Sequence, residues 1–132
     1  MKKAIPIISR WLINLIFVAA LLLAAAVWLP KAFHFKAYVV KSSSMEPAIK
    51  AGSIIYISQY KEDELIFPGD IVSFQTGDVM VTHRIVSVNM EEGTAFTKGD
   101  ANQVRDPAPL LLNAIQGKVR FHIPLLGYLL LR

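Results

Sequence analysis

From Trp11 to Leu29 every position but Asn14 is apolar, and Pro30 closes the run. No other stretch of the chain constrains its folding as strongly. At about 1.5 Å of rise per residue, a helix of this length reaches roughly the 30 Å of a bilayer core. Trp11 and Trp28 sit near its two ends, where indole rings favour the membrane–water interface. The expectation is a transmembrane helix over residues 11–30, preceded by a short basic segment, 1–10, that carries Lys2, Lys3 and Arg10. A cleaved secretory signal shares this design, and Ala24-Ala25-Ala26 offers the small-x-small pattern that such cleavage needs. The run nevertheless continues through Val27-Trp28-Leu29, which favours a retained anchor. Charge leaves the orientation open, because Lys31, Lys36 and Lys41 follow the helix much as Lys2, Lys3 and Arg10 precede it.

Beyond this block the texture changes. Short β-branched runs separated by turn residues replace the long apolar stretch. Ser53–Ser58, Ile71–Gln75, Val79–Val88, Thr94–Lys98 and Gly117–Phe121 read as strands. The turn Thr76-Gly77-Asp78 reads as the bend of a hairpin. Leu110-Leu111-Leu112 is a short apolar patch in or beside a loop, and no segment after residue 30 sustains a helical period. The tail from Ile123 to Leu131 is too short to span a membrane and is broken by Pro124 and Gly127. The fold expected is mainly β: an N-terminal transmembrane helix and then one small antiparallel β domain over 31–132, since 132 residues leave room for one domain of ordinary size.

The chemistry that composition permits is narrow. The chain has no cysteine, so thiolate catalysis, disulfides and cysteine-bound zinc are excluded. The net charge of +4 is scattered rather than striped with aromatics, which gives no support to nucleic-acid binding and suits the neighbourhood of anionic lipid. The three histidines are far apart in sequence, with no metal-ligand spacing, and neither a metal nor a cofactor is expected.

One stretch has the residues for nucleophilic catalysis, although a polar Ser-rich turn with an ordinary proline is its bland alternative. In Lys41-Ser42-Ser43-Ser44-Met45-Glu46-Pro47 three hydroxyls precede a proline that prevents a helix from running straight through. A serine at such a bend can stand exposed with backbone N–H groups aimed outward, as a nucleophile with an oxyanion hole requires. It also needs a base. His34 lies just outside the apolar segment and His122 in the terminal strand, whereas His83 shares a strand face with Val81 and Ile85. Most histidines on an apolar face are core residues satisfied by one hydrogen bond, but the imidazole is also the side chain best suited to take a proton near neutrality. Asp100 and Asp106, in the loop opened by Gly99, are the available groups to orient it; a turn-forming aspartate is the bland alternative for each.

Taken together, these stretches resemble a known family. Ser42-Ser43-Ser44-Met45-Glu46-Pro47 resembles the Ser-x-Ser-Met-x-Pro box of type I signal peptidases, and Pro68-Gly69-Asp70-Ile71-Val72 their Gly-Asp-(apolar) box. Thr82-His83-Arg84-Ile85 is similar to the box in which common bacterial members carry Lys-Arg. Histidine there matches the branch found in the endoplasmic reticulum, archaea and some spore-forming bacteria. Thr97-Lys98-Gly99-Asp100-Ala101-Asn102 is similar to that branch's Thr-Lys-Gly-Asp-Asn-Asn box. Gly117-Lys118-Val119, Ile123-Pro124 and Gly127-Tyr128 extend the likeness over roughly residues 35 to 128.

The resemblance implies a membrane-anchored serine endopeptidase that cleaves signal peptides from exported preproteins, with Ser44 as nucleophile and His83 as general base. Ser42 matches the position whose hydroxyl helps to hold the oxyanion. Asp106 stands where the branch closes an Asp-Asp doublet, although Arg105 replaces the first acid and Ala101 an asparagine; Asp100 is the alternative partner for the imidazole. The resemblance further implies a cytosolic N-terminus, a single-pass anchor in the cell membrane and a catalytic domain on the extracytoplasmic side. Additional peptidase subunits are compatible with it. So is a non-catalytic β domain of the same lineage, although that would be marked by a broken nucleophile or base. A self-cleaving serine-lysine protein of the SOS-repressor kind would need a lysine at position 83 and a DNA-binding domain, and the chain has neither.

Overall fold

The structure, a computed structural model, describes residues 7–32, 34–61, 64–124 and 126. The chain divides into two units, 1–34 and 35–132. The first is helix α1, Ile7–Ala32, which begins before and ends after the expected span of 11–30. Its apolar side chains stand exposed on every face, from Trp11 and Leu15 to Leu22 and Trp28. Among the described residues no helix is long and apolar enough to cross a membrane.

The second unit is one antiparallel sheet. Its strands are β1 (Phe35–Val39), β2 (Ile54–Gln59), β3 (Ile71–Thr76), β4 (Val79–Asn89), β5 (Thr94–Lys98), β6 (Leu110–Leu111) and β7 (Ile115–Ile123). Their order across the sheet is β1-β2-β7-β3-β4-β5-β6. The last strand thus inserts between the second and third, which local patterning in the sequence does not reveal. The β3–β4 hairpin forms as expected: Thr76 pairs with Val79, and Gly77 takes the positive φ of +58° that a two-residue bend demands. Leu110-Leu111 is a strand rather than loop, paired to Thr94 and Ala95, and a single 3₁₀ turn, Leu112–Ala114, leads into β7. Beyond Pro124 and Leu126 the apolar tail lies outside the described residues.

Two buried clusters sit on the sheet. Ile66, Val72, Phe74, Ile85, Ala95, Leu110 and Ile115 form one, and Val40, Met45, Ile49, Ile55 and Ile57 the other. The second matters for the serine stretch. Met45 and Ile49 are each only 1% exposed, so the segment immediately after Ser44 is pinned by side chains whose burial contributes about 1.5–3 kcal/mol apiece.

Candidate active site

The serine stretch leaves β1 still tied to β2. Val40 N–H donates to the Ser53 carbonyl (2.9 Å) and Gly52 N–H to the Val40 carbonyl (2.8 Å). The chain then turns: Glu46 N–H reaches the Ser43 carbonyl at 3.0 Å and Ile49 N–H the Met45 carbonyl at 2.9 Å, and the Glu46–Pro47 peptide is cis. Met45 faces the core while Ser42 and Ser43 stay exposed, which leaves Ser44 half-buried at the rim. Its hydroxyl lies 3.1 Å from that of Ser42.

Ser44 is also held by the loop that follows β5. Its carbonyl accepts the Ala101 N–H at 2.8 Å, and Gly99 lies directly beneath. A Cβ at position 99 would stand 2.6 Å from the Ser44 carbonyl oxygen and 2.8 Å from the Asn102 side-chain nitrogen. The Asn102 side chain is exposed and can move aside, but the Ser44 carbonyl belongs to a turn pinned by Met45 and Ile49. Gly99→Ala is therefore expected to destabilise the protein by about 1–3 kcal/mol, read as a lowered thermal midpoint.

His83 comes from β4, opposite Val72 of β3, and its side chain is 11% exposed. As alternation requires, His83 and Ile85 are buried on one face with Val81 partly covered beside them. The Phe74 ring meets the imidazole edge-on at 6.3 Å between centroids. Of the two acids in the loop, Asp106 reaches this ring: its Oδ2 lies 2.7 Å from His83 Nδ1. A carboxylate oxygen can only accept, so Nδ1 carries the hydrogen, and in the neutral ring Nε2 is the acceptor. The same Oδ2 accepts the Thr97 hydroxyl at 2.5 Å, and Asp106 N–H donates to the Thr97 carbonyl at 2.8 Å.

Asp100 goes elsewhere. Its two carboxylate oxygens take Arg84 Nε at 2.8 Å and Nη2 at 2.6 Å, a bidentate pair of the strong kind. The third nitrogen, Nη1, donates to the Gly69 carbonyl at 2.9 Å. The hydrogen bonds from Arg84 hold the Asp100 carboxyl below its ordinary range, against the opposing effect of burial, and the charges of Arg84, Lys98 and His83 add to the lowering. Hydrogen bonding to Asp100 in turn raises Arg84, opposed by its own burial. This pair anchors the loop at Asp100, one residue before the N–H that grips Ser44.

Sequence reasoning singled out Ser42, Ser44, His83, Asp100 and Asp106, and the loop from Gly99 to Asp106 gathers most of them. It holds Ser44 through Ala101 and His83 through Asp106. Reasoning from sequence assigned no role to Arg84 or Thr97. Thr97 alternates inward with Ala95 on β5, a weak signal; the pairing of Arg84 with Asp100, sixteen residues away, has no local signature. Among the described residues the Ser44 hydroxyl has its hydrogen bond to Ser42 and none to His83.

Among the described residues two strand edges beside this cluster are unpaired. β1 is the outermost strand and pairs with β2 alone. On β4, residues Val79 to His83 pair with β3, while pairing with β5 begins only at Arg84. An extended peptide can add to either edge through main-chain hydrogen bonds.

Comparison with known proteins gives the family of the chain. A family model described as signal peptidase, peptidase S26, matches residues 9–103. The chain is 34% identical over 84 residues to Signal peptidase I W of Bacillus subtilis, covering 61% of this chain and 44% of that protein. It is 37% identical over 73 residues to the human signal peptidase complex catalytic subunit SEC11C, covering 52% and 38%. The match to the SEC11 catalytic subunit of Lodderomyces elongisporus is longer, 30% identical over 125 residues, with 86% of this chain and 74% of that one. The chain thus spans less than half the length of the Bacillus and human relatives. The family model nevertheless takes in the helix, the serine stretch, His83 and the start of the Gly99 loop, and the chain belongs to the signal peptidase family, peptidase S26.

Proposed function

We propose that this chain is a membrane-anchored serine endopeptidase that removes signal peptides from exported preproteins by a Ser44–His83–Asp106 mechanism. The hydrogen bond from His83 Nδ1 to Asp106 carries the reading, because it leaves Nε2 as the free base on the strand whose neighbouring loop grips Ser44. In the reaction, Ser44 Oγ attacks the carbonyl after a small residue while His83 Nε2 takes the hydroxyl proton. The Ser42 hydroxyl and backbone N–H groups stabilise the oxyanion. The C–N bond then breaks as the imidazolium returns its proton to the leaving amine. Water, deprotonated in turn by His83, hydrolyses the ester and restores Ser44. Asp106 fixes the imidazole tautomer and stabilises its charged form. Asp100 acts on the loop through Arg84.

A substrate segment would lie extended between the open edges of β1 and β4, giving main-chain hydrogen bonds while small pockets select Ala-x-Ala sites. The apolar run Trp11–Leu29, exposed on all faces of α1, supports a single-pass anchor. The anchor would hold the enzyme in the cell membrane, and likeness to the family, rather than the charges flanking the helix, gives a cytosolic N-terminus and an extracytoplasmic β unit. Tethering in the bilayer that also holds the substrate's apolar segment raises the effective concentration of the cleavage site. The relatives named as subunits of a signal peptidase complex support the addition of partner subunits.

The test is co-expression with a precursor bearing an Ala-x-Ala site and mass determination of the product. A mature chain beginning immediately after the final alanine is expected, with cleavage lost when that alanine is replaced by phenylalanine. An uncut precursor, with the protein folded and in the membrane, would overturn the reading for the chain acting alone.

A further inference from the structure

Asp106 does not reach His83 from a rigid element. It lies in the irregular stretch between β5 and β6, with Ala101 to Arg105 exposed before it and Pro107 to Pro109 exposed after it. What fixes it is β5, and β5 holds the loop on both of its faces. On the buried face, Thr97 binds Asp106 twice, through its carbonyl and its hydroxyl. On the other face, the guanidinium carbon of Arg105 lies 3.8 Å from the centroid of the Phe96 ring. Phe96 and Thr97 are successive residues of one strand, so their side chains point to opposite sides. Arg105 and Asp106, also successive, straddle that strand.

We propose that Arg105 is a positioning residue for the Asp106–His83 pair, acting through the face of Phe96; this rests on the reading of Asp106 as the partner of a catalytic imidazole. A cation stacked on an aromatic face is attracted by the ring quadrupole. Here that attraction closes the second jaw of a clamp whose first jaw is Thr97. Arg84 and the Ser44 carbonyl hold the loop at Asp100 and Ala101; with Arg105 released, the exposed stretch from there to Asp106 meets β5 through Thr97 alone and can pivot about a single strand face, and Asp106 Oδ2 moves with it. Among the described residues the Phe96 ring is the contact Arg105 makes, at a position where the resemblance leads to an acid. An acid there could not hold the ring face, so the clamp is a property of this chain's own pairing of Phe96 with Arg105.

The full chain in membranes or micelles is assayed with the Ala-x-Ala precursor as wild type, Arg105→Gln, Arg105→Lys and Phe96→Leu. In parallel, the His83 Nδ1–H proton is followed by NMR without substrate and identified by its loss in Asp106→Asn. Arg105→Gln is expected to lower kcat about three-fold with KM unchanged, the size of an exposed cation–π contact, and to move the Nδ1–H resonance upfield. Phe96→Leu gives the same two changes, and Arg105→Lys, which keeps the cation, restores both. A resonance and kcat unaltered in Arg105→Gln would overturn the proposal, as would a rise in KM alone, which marks a substrate contact. If the resonance responds to Arg105 while wild type cleaves no precursor, the positioning stands and the proposed function falls. If wild type cleaves and the resonance ignores Arg105, the reverse holds.

Discussion

Replacing Ser44 by alanine is expected to end precursor processing while leaving the protein folded. The two halves of that expectation have separate causes. Among the described residues the hydroxyl bonds only to the exposed Ser42 hydroxyl, and the turn that carries it is held by Met45, Ile49 and the Ala101 N–H. None of those supports involves Ser44 Oγ. Stability should therefore change by less than about 0.5 kcal/mol, and the thermal midpoint should stay within about 2 °C of wild type. The rate has no comparable support. Without the hydroxyl there is no acyl-enzyme, and loss of a serine nucleophile costs about 10⁶-fold in kcat, which a processing assay reads as no product. Ser42→Ala should lie between these limits. Loss of one donor to the oxyanion costs about 10²–10³-fold, so slow processing should remain. Near-normal cleavage by Ser44→Ala would remove the nucleophile from position 44. Equal losses in the two variants would mean that the hydroxyls act as a unit rather than in separate roles.

That contrast depends on how the serine stretch is built, and much of the building was legible in the sequence. The five β runs fell close to β2, β3, β4, β5 and β7, because each is β-branched and bounded by turns, whereas β1 was not among the runs read. The Gly77-Asp78 bend was readable from its residues. The face of His83 followed from alternation with Val81 and Ile85. Three things were not legible, each for the same reason. The insertion of β7 between β2 and β3, the pairing of Leu110-Leu111 with β5, and the partition of the two loop aspartates are all set by contacts between residues remote in sequence. Asp106 goes to His83 and Asp100 to Arg84 because Arg84 and His83 are neighbours on one strand. Alternation sends their side chains to opposite sides, so each can take one acid from the same loop. A sequence shows two aspartates six apart, but not which side of the strand each will meet. The extent of the helix was likewise set by the chain at its ends. The pattern pointed to 11–30, whereas the helix runs from Ile7 to Ala32.

The two aspartates should therefore fail differently when each is made an asparagine. Asp106→Asn keeps the shape of the side chain but removes the charge that accepts from both His83 Nδ1 and Thr97 Oγ1. The amide can present its NH₂ to the imidazole, which selects the tautomer with hydrogen on Nε2 and leaves no base for Ser44. A loss of about 10⁴-fold in kcat is expected, with KM little changed, measured on the Ala-x-Ala precursor. Asp100→Asn should retain far more activity, because Nε2 and the tautomer are untouched. It instead loosens the bidentate hold of Arg84 on the loop, and its mark is stability that varies with pH. The folded carboxyl of Asp100 lies below its ordinary value of about 3.9. The unfolded chain consequently binds the proton more readily, and the pair's stabilisation is complete above about pH 5 and drains away as pH falls through 3.9 towards the folded value. The thermal midpoint of Asp100→Asn should lie below that of wild type at pH 7, and the gap should close in acid. The opposite order of activities, with Asp100→Asn the more damaged in kcat, would transfer the imidazole's partner from Asp106 to Asp100. A gap in thermal midpoint that is constant with pH would mean that the Arg84–Asp100 pair holds the loop by shape rather than by charge.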